Sequence, residues 1–124
     1  MKDFVLETHG QGHTVRVVMQ GELDLATSRL LEEELVQIAE GGTERIVVDL
    51  RKLTFMDSTG LCAILRADAR AGEGDCTLVV VRGPEAVDRV FRITKTDQVL
   101  TMASKPGPFL GRPRQMQPDR AGLD

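Results

Sequence analysis

The sequence has no tryptophan and no tyrosine, and four phenylalanines supply its whole aromatic content of 3%. A surface that stacks single-stranded bases on aromatic rings is therefore not expected. No block of lysine and arginine dominates any segment and the formal net charge is −3, so no direct nucleic-acid partner is predicted. No apolar run approaches the ~20 residues that span a bilayer, and the N-terminal segment lacks the apolar core of a signal peptide.

Cysteine and histidine are also scarce, with two residues of each type. In a chain without a signal peptide, we expect Cys62 and Cys76 to be reduced and the protein to be cytoplasmic. Cys62 is expected to pack as a small apolar residue on a helix, and Cys76, beside a glycine loop, to be more exposed. His9 and His13 flank a glycine loop with no third ligand in evidence, so no metal site is predicted.

The motifs of common enzyme classes are missing. Ser58 does not stand in the G-x-S-x-G pattern of a hydrolase, and neither histidine is evidently placed to act as its base. The sequence contains no G-x-x-x-x-G-K-[ST] loop that would cradle the phosphates of a nucleotide. We therefore expect a protein that is not an enzyme, with no catalytic residue and no cofactor.

The apolar pattern alternates between strand and helix periods. An initial hairpin is predicted from two apolar runs that flank a glycine-rich loop. Amphipathic helices and β-branched strands then follow in turn, which implies crossover connections and a partly parallel sheet of the α/β class. Strands are expected at 4–6, 15–19, 46–50, 77–81 and 99–102, and helices at 26–40, at 58–70 and from Pro84 onwards.

The ends of these elements carry polar residues with predicted structural roles. Thr27 or Ser28 is expected to cap the first helix. Asp49 is expected to end a buried strand and to accept backbone amides from the turn that follows. Four of the five prolines lie after residue 103, so we expect one domain at 1–103 and a mobile proline- and glycine-rich tail at 104–124.

The third strand is followed by an acid and two hydroxyls at the start of a helix. These are Asp57, Ser58 and Thr59, followed by Gly60, which keeps the backbone and the hydroxyl accessible. The free amides and the dipole at a helix start favour negative charge. A hydroxyl here can be a cap, a nucleophile or a phosphorylation site, and the residue types alone leave capping as the commonest explanation.

This segment resembles the signature of the STAS family, the sulfate transporter and anti-sigma-factor antagonist domains. The similarity runs from about Phe4 to Met102, with the motifs in the family's order and spacing. The motifs are Asp49-Leu50, Leu53-Thr54-Phe55-Met56-Asp57-Ser58-Thr59-Gly60-Leu61, Gly21-Glu22-Leu23-Asp24 with Thr27, and the helix from Pro84-Glu85 to Phe91.

The resemblance implies a single STAS-like domain with a mixed sheet of four to five strands and three or more helices mainly on one face. It implies an anti-sigma-factor antagonist that binds an anti-sigma factor with serine kinase activity and so releases a sigma factor. Phosphorylation of Ser58, with Thr59 as the weaker candidate, ends that binding, and a serine phosphatase restores it. The implied partner-binding residues are Asp24, Asp57, Ser58, Thr59 and Gly60.

Several alternatives remain open at this point. Asp24 either caps the first helix or orients the Ser58 hydroxyl and helps to place the partner's nucleotide and metal. The chain is either such an antagonist or a component of a stress-sensing scaffold that binds a different kinase. We expect a monomer or a weak homodimer.

Two departures from the family pattern carry structural consequences. Lys95-Thr96 stand where a Gly-Leu pair often follows the third helix, so the local turn is expected to differ. The segment from Ala103 to Pro108 cannot continue as the family's C-terminal helix, which leaves either no such helix or irregular packing through Phe109 and Leu110.

Overall fold

The computed structural model describes residues 3–105. They form a five-stranded sheet in the order β1-β2-β3-β4-β5, in which β1 runs antiparallel to β2 and all other neighbours are parallel. The predicted α/β class and mixed sheet are confirmed. The elements are β1 (Val5–Gln11), β2 (Thr14–Leu23), α1 (Leu25–Glu40), β3 (Arg45–Met56), α2 (Ser58–Glu73), β4 (Thr77–Val81), α3 (Glu85–Thr94), a 3-10 turn (Thr96–Gln98) and β5 (Thr101–Ala103).

The predicted hairpin joins β1 and β2 through the two residues Gly12 and His13. The pairing runs from Val5 opposite Gln20 to Gln11 opposite Thr14. Gly12 has φ of 64°, a left-handed conformation that glycine adopts without a steric cost, so the tight turn depends on it.

All three helices bury side chains in the same apolar cluster. Alternate residues of the sheet, such as Met19 and Val48, enter this cluster together with Leu31 of α1, Ile64 of α2 and Phe91 of α3. Because successive strand residues point to opposite faces, this single cluster places the helices on one face of the sheet, as predicted. None of the helices among residues 3–105 is both long and apolar enough for a membrane span.

Strand β3 is much longer than the predicted 46–50. It pairs with β4 only up to Asp49, whereas its pairing with β2 continues to Met56. Beyond Asp49 one side of the strand has no neighbouring strand within the described residues, and pairs of exposed residues, such as Arg51 and Lys52, separate single buried ones. Because several of these residues are polar, the apolar pattern of the sequence did not predict the extension. Asp49 therefore lies inside the strand rather than at its end.

Strand β5 also differs from its prediction at 99–102. It covers Thr101–Ala103, and Val99 ends the preceding 3-10 turn with 70% of its surface exposed. Val99 is therefore not a strand residue, although Leu100 beside it is buried in the core. The boundary between 1–103 and 104–124 stays a prediction, because residues 106–124, with Phe109 and Leu110, lie outside the described residues.

The exposure of the two cysteines is the reverse of the prediction. Cys62 is exposed on the solvent side of α2, between the buried residues Leu61 and Ala63. Cys76 is partly buried beside the core, and this burial raises the pKa of its thiol. The helical period of α2, with Leu61 and Ile64 facing inwards, leaves no place in the core for the side chain at position 62.

The turn after α3 has an unusual backbone conformation, as the departure from the family pattern at Lys95-Thr96 suggested. Lys95 ends α3 with φ of 63°, and it is the one residue other than glycine with positive φ among residues 3–105. A side chain at this left-handed position is disfavoured by contact between Cβ and the following carbonyl. Its N–H donates to the Arg92 carbonyl oxygen at 3.2 Å, which closes the helix.

Candidate functional site

Strands β2 and β3 are parallel and end side by side at one edge of the sheet. Leu23 pairs with Met56, and each is followed directly by an aspartate that begins a helix. The backbone N–H of Asp57 donates to the Leu23 carbonyl oxygen at 3.2 Å, which ties the two chain segments together. The starts of α1 and α2, with Asp24 and Asp57, therefore form one surface.

Asp57 is the N-cap of α2. Its Oδ1 atom accepts the backbone N–H of Thr59 at 3.0 Å and that of Gly60 at 3.2 Å. The Thr59 hydroxyl donates to the same oxygen. The capping role suggested by the residue types is therefore real, but the aspartate fills it and the serine does not.

Ser58 is the first residue of α2, and its side chain differs sharply from that of Thr59. Ser58 is exposed, and within residues 3–105 its hydroxyl makes no side-chain hydrogen bond. The Thr59 hydroxyl is half-buried and occupied by Asp57. Of the two candidate hydroxyls, only that of Ser58 is both accessible and uncommitted.

Asp24 is the N-cap of α1, so the capping role left open for it is confirmed and the prediction that Thr27 or Ser28 fills this position is wrong. The Asp24 carboxylate accepts the backbone N–H groups of Ala26 and Thr27, both at 3.1 Å. The Thr27 hydroxyl in turn accepts the Asp24 N–H at 2.8 Å, which completes a capping box. Ser28 lies one residue beyond Thr27 in the helix, and its hydroxyl donates to the Leu25 carbonyl oxygen instead.

The electrostatics of Asp24 follow from this cap. The backbone and side-chain hydrogen bonds from Thr27 lower the pKa of its carboxyl group below the ordinary value. Asp24 therefore remains ionised at neutral pH. The surface at the two helix starts carries the carboxylates of Asp24 and Asp57 beside the exposed Ser58.

Gly60 has a packing role in addition to any contact with a partner. It is buried, and a Cβ atom added to it would come 2.8 Å from Leu23 Cδ2 and 2.9 Å from Met56 Cγ. The missing side chain lets α2 approach the ends of β2 and β3 closely. Glycine at this position therefore fixes where the helix start, and with it Ser58, lies.

Two exposed apolar side chains flank the acids and were missed from the sequence. Leu25, the first residue of α1, is 72% exposed, and Phe55, two residues before Asp57, is 46% exposed. The helix period of α1 and the strand period of β3 place these two apolar residues at exposed positions. An apolar residue at an exposed position is the feature of the sequence that could have identified them. Apolar residues enclosed by polar ones are typical of a protein-binding surface.

Asp49 does not belong to this surface. It is 1% exposed in the middle of β3, where Oδ1 accepts the backbone N–H of Arg51 at 3.1 Å, as predicted in part. Its other partners are the guanidinium groups of Arg51 and Arg16. His9 and His13 are exposed, and the described residues contain no group of three or more His, Cys, Asp or Glu placed to hold a metal ion.

Comparison with known proteins assigns the family. The family model described as "Mlab, STAS domain" matches residues 6–102. The anti-sigma-B factor antagonist of Staphylococcus aureus (strain NCTC 8325 / PS 47) is 34% identical over 89 residues, covering 72% of this chain and 82% of that protein. The chain belongs to the STAS domain family.

Solved structures support the same fold. An anti-sigma factor antagonist from Mycobacterium paratuberculosis matches with a TM-score of 0.77 at 20% identity, covering 83% of this chain and 87% of that chain. The anti-sigma factor antagonist SpoIIAA in its unphosphorylated form matches with a TM-score of 0.71 at 20% identity, covering 86% and 93%. Its phosphorylated form, from Bacillus, matches with a TM-score of 0.66 at 19% identity, covering 86% and 96%.

Proposed function

We propose that this protein is an anti-sigma-factor antagonist that binds an anti-sigma factor with serine kinase activity through the surface formed by the starts of α1 and α2. Phosphorylation of Ser58 ends this binding, and a serine phosphatase restores it. The role is regulatory rather than catalytic, and the chain acts in the cytoplasm as a monomer or weak homodimer. The similarity to anti-sigma-B factor antagonists supports the class of partner.

The observation that carries the proposal is the difference between Ser58 and Thr59. A kinase needs a hydroxyl that can enter its active site and attack the γ-phosphate. Ser58 is exposed at the first position of the helix, whereas the Thr59 hydroxyl is held by the Asp57 carboxylate. Phosphorylating Thr59 would require that hydrogen bond to break, so Ser58 is the acceptor.

The fold tolerates a phosphate on Ser58. Phosphorylation adds about −1.5 to −2 charges at neutral pH. The helix start offers a favourable field for an anion, and the exposed side chain leaves room for the group. We therefore expect no large change of backbone structure on phosphorylation.

The partner would experience the new charge differently. Asp24 and Asp57 already make the surface acidic. Leu25 and Phe55 offer apolar contacts that exclude water from the interface with the partner. A phosphate beside these contacts would have to be desolvated against a surface that fits a neutral hydroxyl. A penalty of about 3 kcal/mol corresponds to roughly a hundredfold loss of affinity.

The acceptor is tested by incubation of the protein with candidate anti-sigma kinases and ATP, followed by mass spectrometry of the peptide that contains residues 57–62. Ser58→Ala should abolish the modification, and Thr59→Val, which preserves the shape of the side chain, should retain it. Phosphate on Ser58→Ala at the wild-type rate, whether at Thr59 or elsewhere, would contradict the assignment.

The switch is tested by the affinity of the kinase for substituted proteins. Ser58→Ala should bind about as tightly as the wild type, and Ser58→Glu should bind at least about tenfold more weakly, since each 1.4 kcal/mol is tenfold. Ser104→Glu, an exposed position after β5, controls for the added charge alone. Equal weakening by both glutamates would contradict a mechanism that depends on the position of the charge at Ser58. Kinase binding without release of a sigma factor would favour the alternative role as a component of a stress-sensing scaffold.

A further inference from the structure

A second concave site lies on the face of the sheet opposite the helices. It is a pocket of about 470 Å³ between β1, β2 and the middle of β3. Basic and acidic side chains share its lining, namely His9, Arg16, Arg51, Lys52, Glu7 and Asp49. Lys52, the lining residue of β3 nearest to Ser58, precedes the Met56 end of the strand by four residues, or about 13 Å at 3.3 Å per residue, so this pocket is distinct from the Ser58 surface.

The single buried acid of this pocket has no acceptor capacity left. Asp49 Oδ1 accepts the backbone N–H of Arg51 at 3.1 Å and its Nε–H at 3.0 Å. Asp49 Oδ2 accepts Nη2–H of Arg51 at 2.8 Å and Nη1–H of Arg16 at 3.2 Å. Each oxygen therefore receives two donors, which is its full complement.

The ionisation of Asp49 reflects this arrangement. Burial by itself would raise the pKa of the carboxyl group, but the hydrogen bonds from Arg51 and Arg16 outweigh it and lower the pKa. Asp49 is thus ionised at neutral pH and holds the two guanidinium groups in place over the sheet.

The donors in the pocket outnumber the acceptors. The Nε–H of Arg16 is buried, and no residue that the structure describes accepts it. Lys52 lines the same pocket and makes no ion pair within residues 3–105. Three permanent cations, Arg16, Arg51 and Lys52, thus face the two acids Asp49 and Glu7, and Asp49 is already saturated. A buried donor without an acceptor is unfavourable, and an anionic ligand would satisfy it.

We propose that this pocket binds a small oxyanion, either a free phosphate or the carboxylate or phosphate group of a small metabolite. Arg16 donates its Nε–H to the anion, and the ammonium group of Lys52 contributes a positive charge on a flexible side chain. Asp49 is a positioning residue, because it fixes both guanidinium groups without touching the ligand. The pocket volume lies in the range of small-molecule sites, so the anionic group can carry a modest organic part.

The test is a titration of the isotope-labelled full chain, followed by the NMR amide shifts, with inorganic phosphate in one arm and acetate in the other. Chloride holds the ionic strength constant. Saturable shifts are expected at Arg16, Arg51 and Lys52 without shifts at Ser58 and Thr59. The arm with the lower Kd identifies the preferred group, tetrahedral phosphate or planar carboxylate.

Two variants decide whether the pocket carries the binding. Lys52→Gln leaves all the Asp49 hydrogen bonds intact and should weaken binding about tenfold, as expected for one charge-assisted hydrogen bond. Arg16→Lys keeps the charge but removes the Nε–H, and it should weaken binding to a similar degree in a protein whose spectrum remains that of the folded state. Arg89→Gln, an exposed position on α3, removes one positive charge elsewhere and should leave the Kd unchanged.

The proposal is overturned if neither anion produces saturable shifts at the pocket. It is equally overturned if Lys52→Gln and Arg89→Gln weaken binding alike, because the attraction would then be a property of the overall charge. Ser58→Ala should bind the anion as the wild type does, so this result is independent of the proposed phosphorylation.

Discussion

Gly60 packs against Leu23 so closely that a Cβ atom at position 60 would lie 2.8 Å from both Cγ and Cδ2 of the leucine. Leu23 is fully buried in the apolar core, so any shift of its side chain would have to displace other core residues. This contact joins the end of β2 to the first turn of α2. It determines how the exposed hydroxyl of Ser58 is presented beside Asp24.

Gly60→Ala should therefore destabilise the protein. Overpacking costs about 1–3 kcal/mol, which exceeds the gain in helix propensity from alanine. Gly72→Ala is the matched control on the same helix, because nothing lies within 4 Å of its added Cβ atom. It should stabilise by about 0.5–1 kcal/mol. Urea unfolding measures both, and equal effects of the two substitutions would contradict the close packing at Gly60.

The cap of α2 gives a second prediction. Asp57→Ala should lower the free energy of unfolding by about 1 kcal/mol, because the N–H groups of Thr59 and Gly60 lose their acceptor. Asp57→Asn keeps a side-chain oxygen and should be close to the wild type in stability. Thermal unfolding in parallel distinguishes the two. If asparagine proved as destabilising as alanine, the carboxylate charge rather than the cap geometry would be responsible.

Lys95 is a site at which the protein should gain stability. Its φ of 63° costs a residue with a Cβ atom about 1 kcal/mol, and glycine avoids this cost. Lys95→Gly should therefore raise the free energy of unfolding by up to about 1 kcal/mol. Lys95→Ala retains the Cβ atom and serves as the control for removing the charge and the side chain. A gain with alanine equal to that with glycine would show that the backbone conformation is not the cause.

The loss of stability in acid, measured as the free energy of unfolding against pH, should depend on Asp49. Its pKa is lowered in the folded state, so the unfolded state binds more protons in acid and stability is lost as the pH falls through the folded pKa. The contribution is complete above the ordinary aspartate pKa of about 4. Asp49→Asn should reduce stability at neutral pH and flatten the slope below about pH 4.

Urea unfolding of both proteins from neutral to acidic pH measures this slope. Asp68→Asn is a suitable control, because burial raises the pKa of Asp68 and its substitution should not remove stability in that window. An unchanged acid slope in Asp49→Asn would mean that the ion pairs with Arg16 and Arg51 add nothing to the pH dependence.

The sequence by itself determined the succession of elements and the motif at the start of α2. Apolar periodicity is a local property, so β4 was predicted at its exact bounds and Asp57, Ser58 and Thr59 were placed at a helix start. Local patterns failed where a neighbouring strand ends, as in β3 beyond Asp49, because loss of a sheet partner is not encoded in the residues of the strand itself.

The tertiary structure decided the roles of individual side chains. The sequence offered several residues for each of the two caps, and only the geometry assigned Asp24 and Asp57 to them and left Ser58 free. It also joined Arg16 to Asp49 across 33 positions of the chain. Hydrogen bonds and burial act over a few ångströms in space, so they depend on which segments the folded sheet brings together and not on their separation along the sequence.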